Sequence, residues 1–366
     1  MRRRVTVVGP AYLDRVARVD RPLIDPAIGP PLDGSVDGRL AGGAAPALTL
    51  VDPLGGSIVV APPDGWPGPV GTVELARPLV EGRGDWRREV RGVDWRDDLG
   101  GMGAGFAAAL GGRLLGALGP PEDPRSRQIA DLLEAAGIDH RPIRIAGREA
   151  DWTLLITSAE FGDKLPIGFR GCHSALTEGD VRDEEACDLR VVAALPNPLA
   201  AAALRAPGAA VRFFAPAARN MLDRTFPLAC FADAIDALSC NRREWESLPD
   251  RDAVADRLAL LAVTDGPRGA SVHYRSADGS TRLLRGPAFP RSRPPRDTNR
   301  AGEAFAATLL GSLLDAGWTP GHADPEMIHD AFRRASAASA LVLDLTGFGF
   351  PTDEEIDRAS RAGIVS

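Results

Sequence analysis

Three short stretches of this sequence carry residue types that could do chemistry. The densest is Arg296-Asp297-Thr298-Asn299-Arg300-Ala301-Gly302-Glu303, followed by an apolar face of Phe305, Leu309, Leu310, Leu313 and Leu314. Asp297, Thr298 and Asn299 are each good N-cap residues, so a helix is expected over 301–316. Unpaired N–H groups at a helix start, with the helix dipole, favour an anion. Arg300 adds a positive charge, and Glu303 places a carboxylate in the first turn. The same residues would also serve as a plain cap with an acidic first turn. The second stretch is Gly100-Gly101-Met102-Gly103-Ala104-Gly105, ahead of Phe106-Ala107-Ala108-Ala109-Leu110. Residues this small let a backbone approach another surface closely, which could be a ligand or a packed helix. It is not a dinucleotide-binding fingerprint: no apolar strand directly precedes it, and no clear acidic partner follows about 20 residues later. The third stretch is Asn241-Arg242-Arg243-Glu244, after an apolar run. Asn241 and Glu244, three apart at a helix start, share a face. They could hold a hydrated magnesium ion, which prefers oxygen ligands and keeps its waters, or form an N-cap with an acidic turn.

Holding such residues in place requires a core. The chain has 366 residues, of which 44% are hydrophobic and 25% charged, enough for one large domain or two. Of its 43 Lys+Arg residues, 42 are arginine, and Lys164 is the single lysine. Neither a G-x-x-x-x-G-K-[ST] loop nor a V-A-I-K strand exists, which excludes Walker-type nucleotide binding and the protein-kinase signature. A Schiff-base enzyme would have one candidate lysine, in a polar turn. A net charge of −7 argues against non-specific nucleic-acid binding. No run of 18 apolar residues predicts a membrane span, and the apolar stretch after Met1-Arg2-Arg3-Arg4 is too short for a secretory signal. Cys172, Cys187, Cys230 and Cys240 form no C-x-x-C pair and no zinc-like spacing with the five histidines. They read as buried thiols of a cytoplasmic protein.

The elements come from the periodicity. Residues 4–8 read as a short buried strand. Residues 26–72 hold 19 Gly or Pro, a density that predicts loops with short strands such as Ser57-Ile58-Val59-Val60. Residues 103–118 and 124–136 read as helices. Residues 153–157 and 165–169 flank a Glu-Phe-Gly-Asp-Lys turn and read as a hairpin. The apolar runs 189–195, 211–215, 234–239 and 259–264 alternate with helical segments near 199–205, 220–226 and 252–258. Residues 270–274 and 281–284 form a second hairpin, and 301–316 and 327–343 the strongest late helices. Short apolar strands spaced by helices indicate an α/β fold with a parallel sheet covered on both sides.

Taken in order, these pieces resemble the ribokinase or PfkB family of carbohydrate and nucleoside kinases. Gly9-Pro10-Ala11-Tyr12-Leu13-Asp14 resembles the family's first strand and its sugar-contacting aspartate. Gly100-Gly101-Met102-Gly103 resembles the first signature, G-G-x-G-x-N. Asn241-Arg242-Arg243-Glu244 matches the N-x-x-E magnesium motif. Val263-Thr264-Asp265-Gly266-Pro267-Arg268-Gly269-Ala270 resembles the nucleotide-side V-T-x-G-x-x-G strand and turn. Residues 297–303 resemble the second signature, D-T-x-G-A-G-D. The resemblance covers roughly residues 3–20 and 97–360. Three positions depart from the pattern: Gly105 stands for the usual asparagine, Arg300 for glycine, and Glu303 for the aspartate base.

The resemblance implies a three-layer α/β/α core, a mostly parallel central sheet and a small β lid. It assigns 1–20 and 97–366 to the core, with a lid hairpin near 151–170. Residues 21–96 become a Gly/Pro-rich lid or inserted subdomain. It implies ATP and Mg²⁺ as cofactors, a sugar or nucleoside as acceptor, no nucleic-acid or membrane partner, and a homodimer through the lid. Glu303 becomes the base, the N–H groups of Arg300, Ala301, Gly302 and Glu303 the anion hole, and Asn241 with Glu244 the magnesium site. Thr264, Gly266, Gly269, Asp297 and Thr298 lie on the nucleotide side. Asp14, Gly100, Gly101, Gly103 and Gly105 lie on the sugar side. Two activities follow: an ATP-dependent kinase acting on a sugar or nucleoside hydroxyl, or a kinase-fold protein that binds such ligands without useful transfer.

Overall fold

The structure, a computed structural model, describes residues 3–25, 27–28, 36–42, 46–158 and 163–365. Its strands in chain order are β1 (Val5–Val8), β2 (Tyr12–Val19), β3 (Val36–Gly42), β4 (Leu48–Val51), β5 (Ser57–Ala61), β6 (Gly71–Leu75), β7 (Arg87–Gly100), β8 (Arg113–Leu118), β9 (His140–Arg144), β10 (Trp152–Ser158), β11 (Asp163–Phe169), β12 (Cys187–Ala193), β13 (Ala209–Ala215), β14 (Ala237–Asn241), β15 (Leu260–Thr264), β16 (Ala270–Arg275) and β17 (Thr281–Gly286). Nine form one sheet in the order β17-β16-β15-β14-β13-β12-β1-β8-β9. All pairings from β14/β15 to β8/β9 are parallel, and β16 and β17 extend that sheet antiparallel.

Alternation along the strands sorts side chains onto two helical layers. Val7, Leu189, Val191, Phe213 and Ala262 pack with Phe106, Ile129, Leu133, Phe305, Leu309 and Phe332. Their one-residue neighbours Val8, Val192, Phe214, Leu261 and Val263 pack with Leu199, Ala203, Met221, Phe231 and Val254 on the opposite face. The core is thus three-layered, with helices Met102–Leu110, Pro124–Ala135, Ala301–Asp315 and Pro325–Val342 on the first face. Arg190, fully buried on β12, donates to the carbonyls of Ala203, Ala206, Asp183 and Pro207. It thereby satisfies the carboxyl end of the helix Asn197–Arg205, where a cation is favoured.

The other eight strands close into a barrel in the order β10-β11-β3-β6-β4-β5-β7-β2, which sits over the sheet as the lid. The Gly/Pro-rich segment supplies four of them, β3 to β6, short strands joined by loops as expected, and the strand expected at 57–60 is β5. At Gly38 the close packing even requires glycine: a Cβ there would lie 2.5 Å from Ile167 Cγ2. The expected hairpin at 153–169 is β10/β11, while residues 160–162 of its turn lie outside the described residues.

Several expectations are overturned. Residues 103–118 are not one helix: the helix stops at Gly111, which takes the left-handed φ of 61° that glycine accepts freely, and β8 follows. The helix expected at 220–226 is confined to Ala218–Leu222. Asp297, Thr298 and Asn299 do not cap the helix Ala301–Asp315. Arg300 is its N-cap, with a left-handed φ of 64° and no side-chain capping bond. Of the four free cysteines, Cys172, Cys187 and Cys240 are buried as expected, but Cys230 is exposed. No helix among the described residues is long and apolar enough to cross a membrane.

Candidate active site

The parallel strands β1, β12, β13 and β14 end at Val8, Ala193, Ala215 and Asn241, and a cleft lies along these carboxyl ends, as in open α/β sheets generally. Between them and the barrel is a cavity of about 560 Å³. Asp14, Gly100, Gly101, Arg300 and Glu303 all line it. Of the residues expected on the sugar side, Gly103 and Gly105 are not in the lining.

β2 carries Asp14 out of the core into the lid, and its antiparallel partner β7 sets Asp98 directly opposite. Burial, then the Asp98 carboxylate, push the Asp14 carboxyl up to about 7, because both favour the neutral form. Gly100 makes room for it: a Cβ there would lie 2.2 Å from Asp14 Cγ. Gly101 has φ 96°, and a Cβ would fall 2.4 Å from the Pro10 carbonyl oxygen; one on Gly103 would fall 2.5 Å from the Gly9 carbonyl carbon. The surface these two glycines approach is therefore the β1–β2 turn. They bring the helix Met102–Leu110 against it and so set the angle at which Asp14 enters the cavity.

Glu303 sits in the first turn of the helix Ala301–Asp315. The first intrahelical bond runs from Ala304 N–H to Arg300 O at 2.8 Å, so the N–H groups of Ala301, Gly302 and Glu303 have no helical acceptor. A Cβ built on Gly302 meets nothing within 4 Å, so open space lies beside these groups. Burial pushes the Glu303 carboxyl up, while its own backbone N–H, Arg300 and Lys164 pull it down. Gly105 faces this side chain: a Cβ there would lie 3.5 Å from Glu303 Cγ and from Phe350 Cζ. The short residue at 105 thus leaves space beside the longer carboxylate at 303.

Arg300 is held on several sides. Its Nη2 donates to the Gly347 carbonyl at 2.5 Å and lies 3.6 Å from Asp297, while the guanidinium sits 5.8 Å over the Phe348 ring. Asp297 also accepts from Asn299 N–H at 2.8 Å. Asp297 and Thr298 line a neighbouring cavity of about 650 Å³ that also exposes Arg18, Arg96, Arg293 and Arg296.

Asn241 ends β14 and pairs in register with Thr264 on β15. Asn241 and Glu244 form a capping box: Asn241 Oδ1 accepts from Glu244 N–H at 2.9 Å, and Glu244 Oε2 accepts from Asn241 N–H at 2.9 Å. Both readings of this pair survive the geometry. Burial raises the Glu244 carboxyl, and the Glu303 carboxylate raises it further, so the two acids are close enough to repel. An all-oxygen donor set and mutual repulsion fit a hydrated Mg²⁺, which Asn241 and Glu244 would hold through water. Beyond Thr264, Gly266 has φ 53° with open space around it, whereas Gly269 is needed for packing, a Cβ there falling 2.1 Å from Gly286 O.

Residues that no motif announced complete the lining: Tyr12, Asp37, Arg77, Arg170 and Arg219, with Lys164. Lys164, expected in a polar turn, lies on β11, donates to Asn299 Oδ1 at 3.1 Å, and feels Asp297 and Glu303. Its being the only lysine was the one signal in the sequence.

Residues 86–355 match the family described as pfkB family carbohydrate kinase. No curated protein matches the sequence. Among solved structures, the Methanocaldococcus jannaschii nucleoside kinase, an archaeal member of the ribokinase family, superposes with a TM-score of 0.66 at 14% identity, covering 99% of each chain. The Arabidopsis thaliana ribokinase complexed with ribose and ATP gives 0.63 at 16%, again covering 99% of both chains. The Burkholderia thailandensis nucleoside kinase in complex with inosine gives 0.62 at 16%, covering 98% of each. At such identities the likeness shows a common fold.

Proposed function

Because this chain belongs to the pfkB carbohydrate kinase family, we propose that it is an ATP-dependent phosphotransferase acting on a hydroxyl of a sugar or nucleoside. One observation carries the reading: Glu303, in the first turn of a helix whose Ala301 and Gly302 N–H groups have no helical acceptor and have open space beside them, lines one cavity with Asp14 beneath a lid. The acceptor hydroxyl gives its proton to Glu303, and its oxygen attacks the γ-phosphorus of ATP. The bond to the β,γ-bridging oxygen breaks, leaving ADP and a sugar phosphate. The carboxylate must be ionised to accept that proton, and the Arg300 and Lys164 charges oppose burial in keeping it so. The N–H groups of Ala301 and Gly302, with Lys164, stabilise charge on the transferring phosphoryl group. Asp14 accepts a hydrogen bond from the sugar and orients it.

Asn241 and Glu244 would hold Mg²⁺ through water, and the ion would there neutralise charge on the nucleotide's phosphates. Thr264 and Gly266 border the nucleotide, Asp297 and Thr298 the far side of its phosphates. Residues 21–96 act as lid, with the β10/β11 hairpin, and exclude water from the transfer.

One feature favours binding without transfer: Arg300, the N-cap, is packed against Phe348 and Gly347 beside the same helix start. A panel assay of ATP consumption over pentoses, hexoses, their phosphates and nucleosides separates the two. Turnover that needs both the acceptor and Glu303 supports the transferase. Ligand binding by calorimetry with no turnover on the whole panel would assign the chain to the binding class.

A further inference from the structure

The chain carries a net charge of −7, yet the cavity that holds Asp14 and Glu303 is basic. Arg77, Lys164, Arg170, Arg219 and Arg300 line it against three carboxylates, Asp14, Asp37 and Glu303. The cations fall into two groups. Lys164 and Arg300 act on Glu303, at the end where phosphoryl transfer is placed above. Arg170 and Arg219 act on the Tyr12 hydroxyl. Tyr12 and Asp14 are two residues apart on β2, on one face of the strand, so the second group lies roughly 6–7 Å further along. That is about the length of a small sugar.

Each arginine of the second group is anchored by a different element. Arg170, at the end of β11, bonds Asp37 at 2.8 Å, reaches Tyr12 Oη with Nη1 at 3.4 Å, and lies over the Tyr12 ring. Arg219 donates to the Ala194 carbonyl. Among the described residues no carboxylate pairs with Arg219. Ala194 itself has a φ of 47°, an uncommon conformation for a residue with a Cβ and one that clusters at functional positions. This strained carbonyl fixes a guanidinium that has no counter-charge of its own. A neutral sugar offers such a place hydroxyls alone. A phosphate or carboxylate offers a pair of charged oxygens that can accept two N–H bonds from the guanidinium fork.

We propose that the acceptor is an anionic sugar, whose phosphate or carboxylate is held by Arg170 and Arg219, with Arg77 and the Tyr12 hydroxyl beside them, while its far hydroxyl lies between Asp14 and Glu303. This rests on the transferase reading for the second half only. The anion site is a statement about binding.

Calorimetry on the full chain tests it with ribose against ribose 5-phosphate, fructose against fructose 6-phosphate, and glucose against gluconate. The expected result is that at least one anionic partner binds about 30-fold or more tightly than its neutral counterpart. A preference confined to the phosphates identifies phosphate as the anion; one confined to gluconate identifies carboxylate. Arg219→Gln and Arg170→Gln, on separate elements, should each weaken the anionic sugar roughly 10- to 100-fold, and the preference should shrink as salt rises. Equal affinity for both members of every pair, no binding by any anionic sugar, or a preference that persists in both variants overturns the proposal. ATP turnover on the same sugars separates the two readings. Anionic preference without turnover removes the transferase and leaves the anion site standing. Turnover of neutral sugars with no anionic preference does the reverse.

Discussion

Replacing Asp14 by asparagine should make the protein more stable and less able to bind. Asp14 titrates at about 7 in the fold instead of its ordinary 3.8. A carboxyl raised in this way stabilises the fold while protonated. That contribution is fully present below the unfolded value and is lost as pH rises through about 7. A difference of about 3 units corresponds to about 4 kcal/mol at high pH. Solvent reaching the cavity screens part of this, so about 2 kcal/mol is expected. Asparagine keeps the shape without the charge, so Asp14→Asn should gain nothing near pH 4, an increasing amount up to pH 7, and a constant increment of about 2 kcal/mol above it. Urea unfolding across this range measures it. Sugar affinity of the natural chain should rise over the same window as the carboxylate ionises, and that rise should vanish in the variant. An Asp14→Asn protein that is less stable at about pH 8.5, or whose advantage ignores pH, would refute the raised Asp14 carboxyl, which rests first on its burial and then on Asp98.

Glu303→Gln should lower acceptor-dependent ATP turnover by roughly 10²- to 10⁴-fold, with nucleotide affinity by calorimetry unchanged; a loss under tenfold would mean that Glu303 is not the base. Gly105→Asn should crowd Glu303 and reduce turnover, and Glu303→Asp should restore it by retreating one methylene; additive effects in that double-mutant cycle would show that the two positions are independent. Glu244→Ala removes half of a capping box and should cost about 1 kcal/mol in unfolding free energy. It should also weaken nucleotide binding in the presence of Mg²⁺ and leave it unchanged with chelator; loss of stability alone would leave the cap as its sole role. Gly103→Ala must displace the Gly9 backbone and should destabilise the fold by roughly 1–3 kcal/mol, and a melt unchanged from the natural chain would contradict the packing.

Much of the core was legible because its signals are local. Runs such as Leu260–Thr264 and the face of Phe305, Leu309 and Leu313 repeat with the period of the element they form. The spacing from Asp297 to Glu303 likewise survives as a helix start. What failed to read were features decided across the chain. Arg113–Leu118 looks helical in sequence and becomes β8 because β1 and β9 offer it backbone partners on both sides. The cap passed to Arg300 because Asp297 turns back to Asn299 and towards Arg300 instead. Arg170 and Arg219 reach one cavity from a lid strand and a short core helix, and no spacing in sequence relates them. The pairing of Asn241 with Glu244 was legible as a cap, and the proposed metal site demands the same two residues.

The lid's closure has a mechanical consequence. Each of its eight strands has a hydrogen-bonded neighbour on either side, although β7 meets β5 only over 87–91 and β11 meets β3 only at 167–168, so peeling a strand would break part of the barrel's own ladder. Tilting the barrel as one body about the four chain segments that join it to the core, Gly9–Ala11, Gly101, residues 145–151 and residues 170–171, would give an acceptor access and break none of that ladder. Asp14, Asp37, Lys164 and Arg170 would swing out together, while Glu303 and Arg219 stayed with the sheet. One rotation would therefore separate the base from the sugar-orienting carboxylate and divide the two anion-holding arginines.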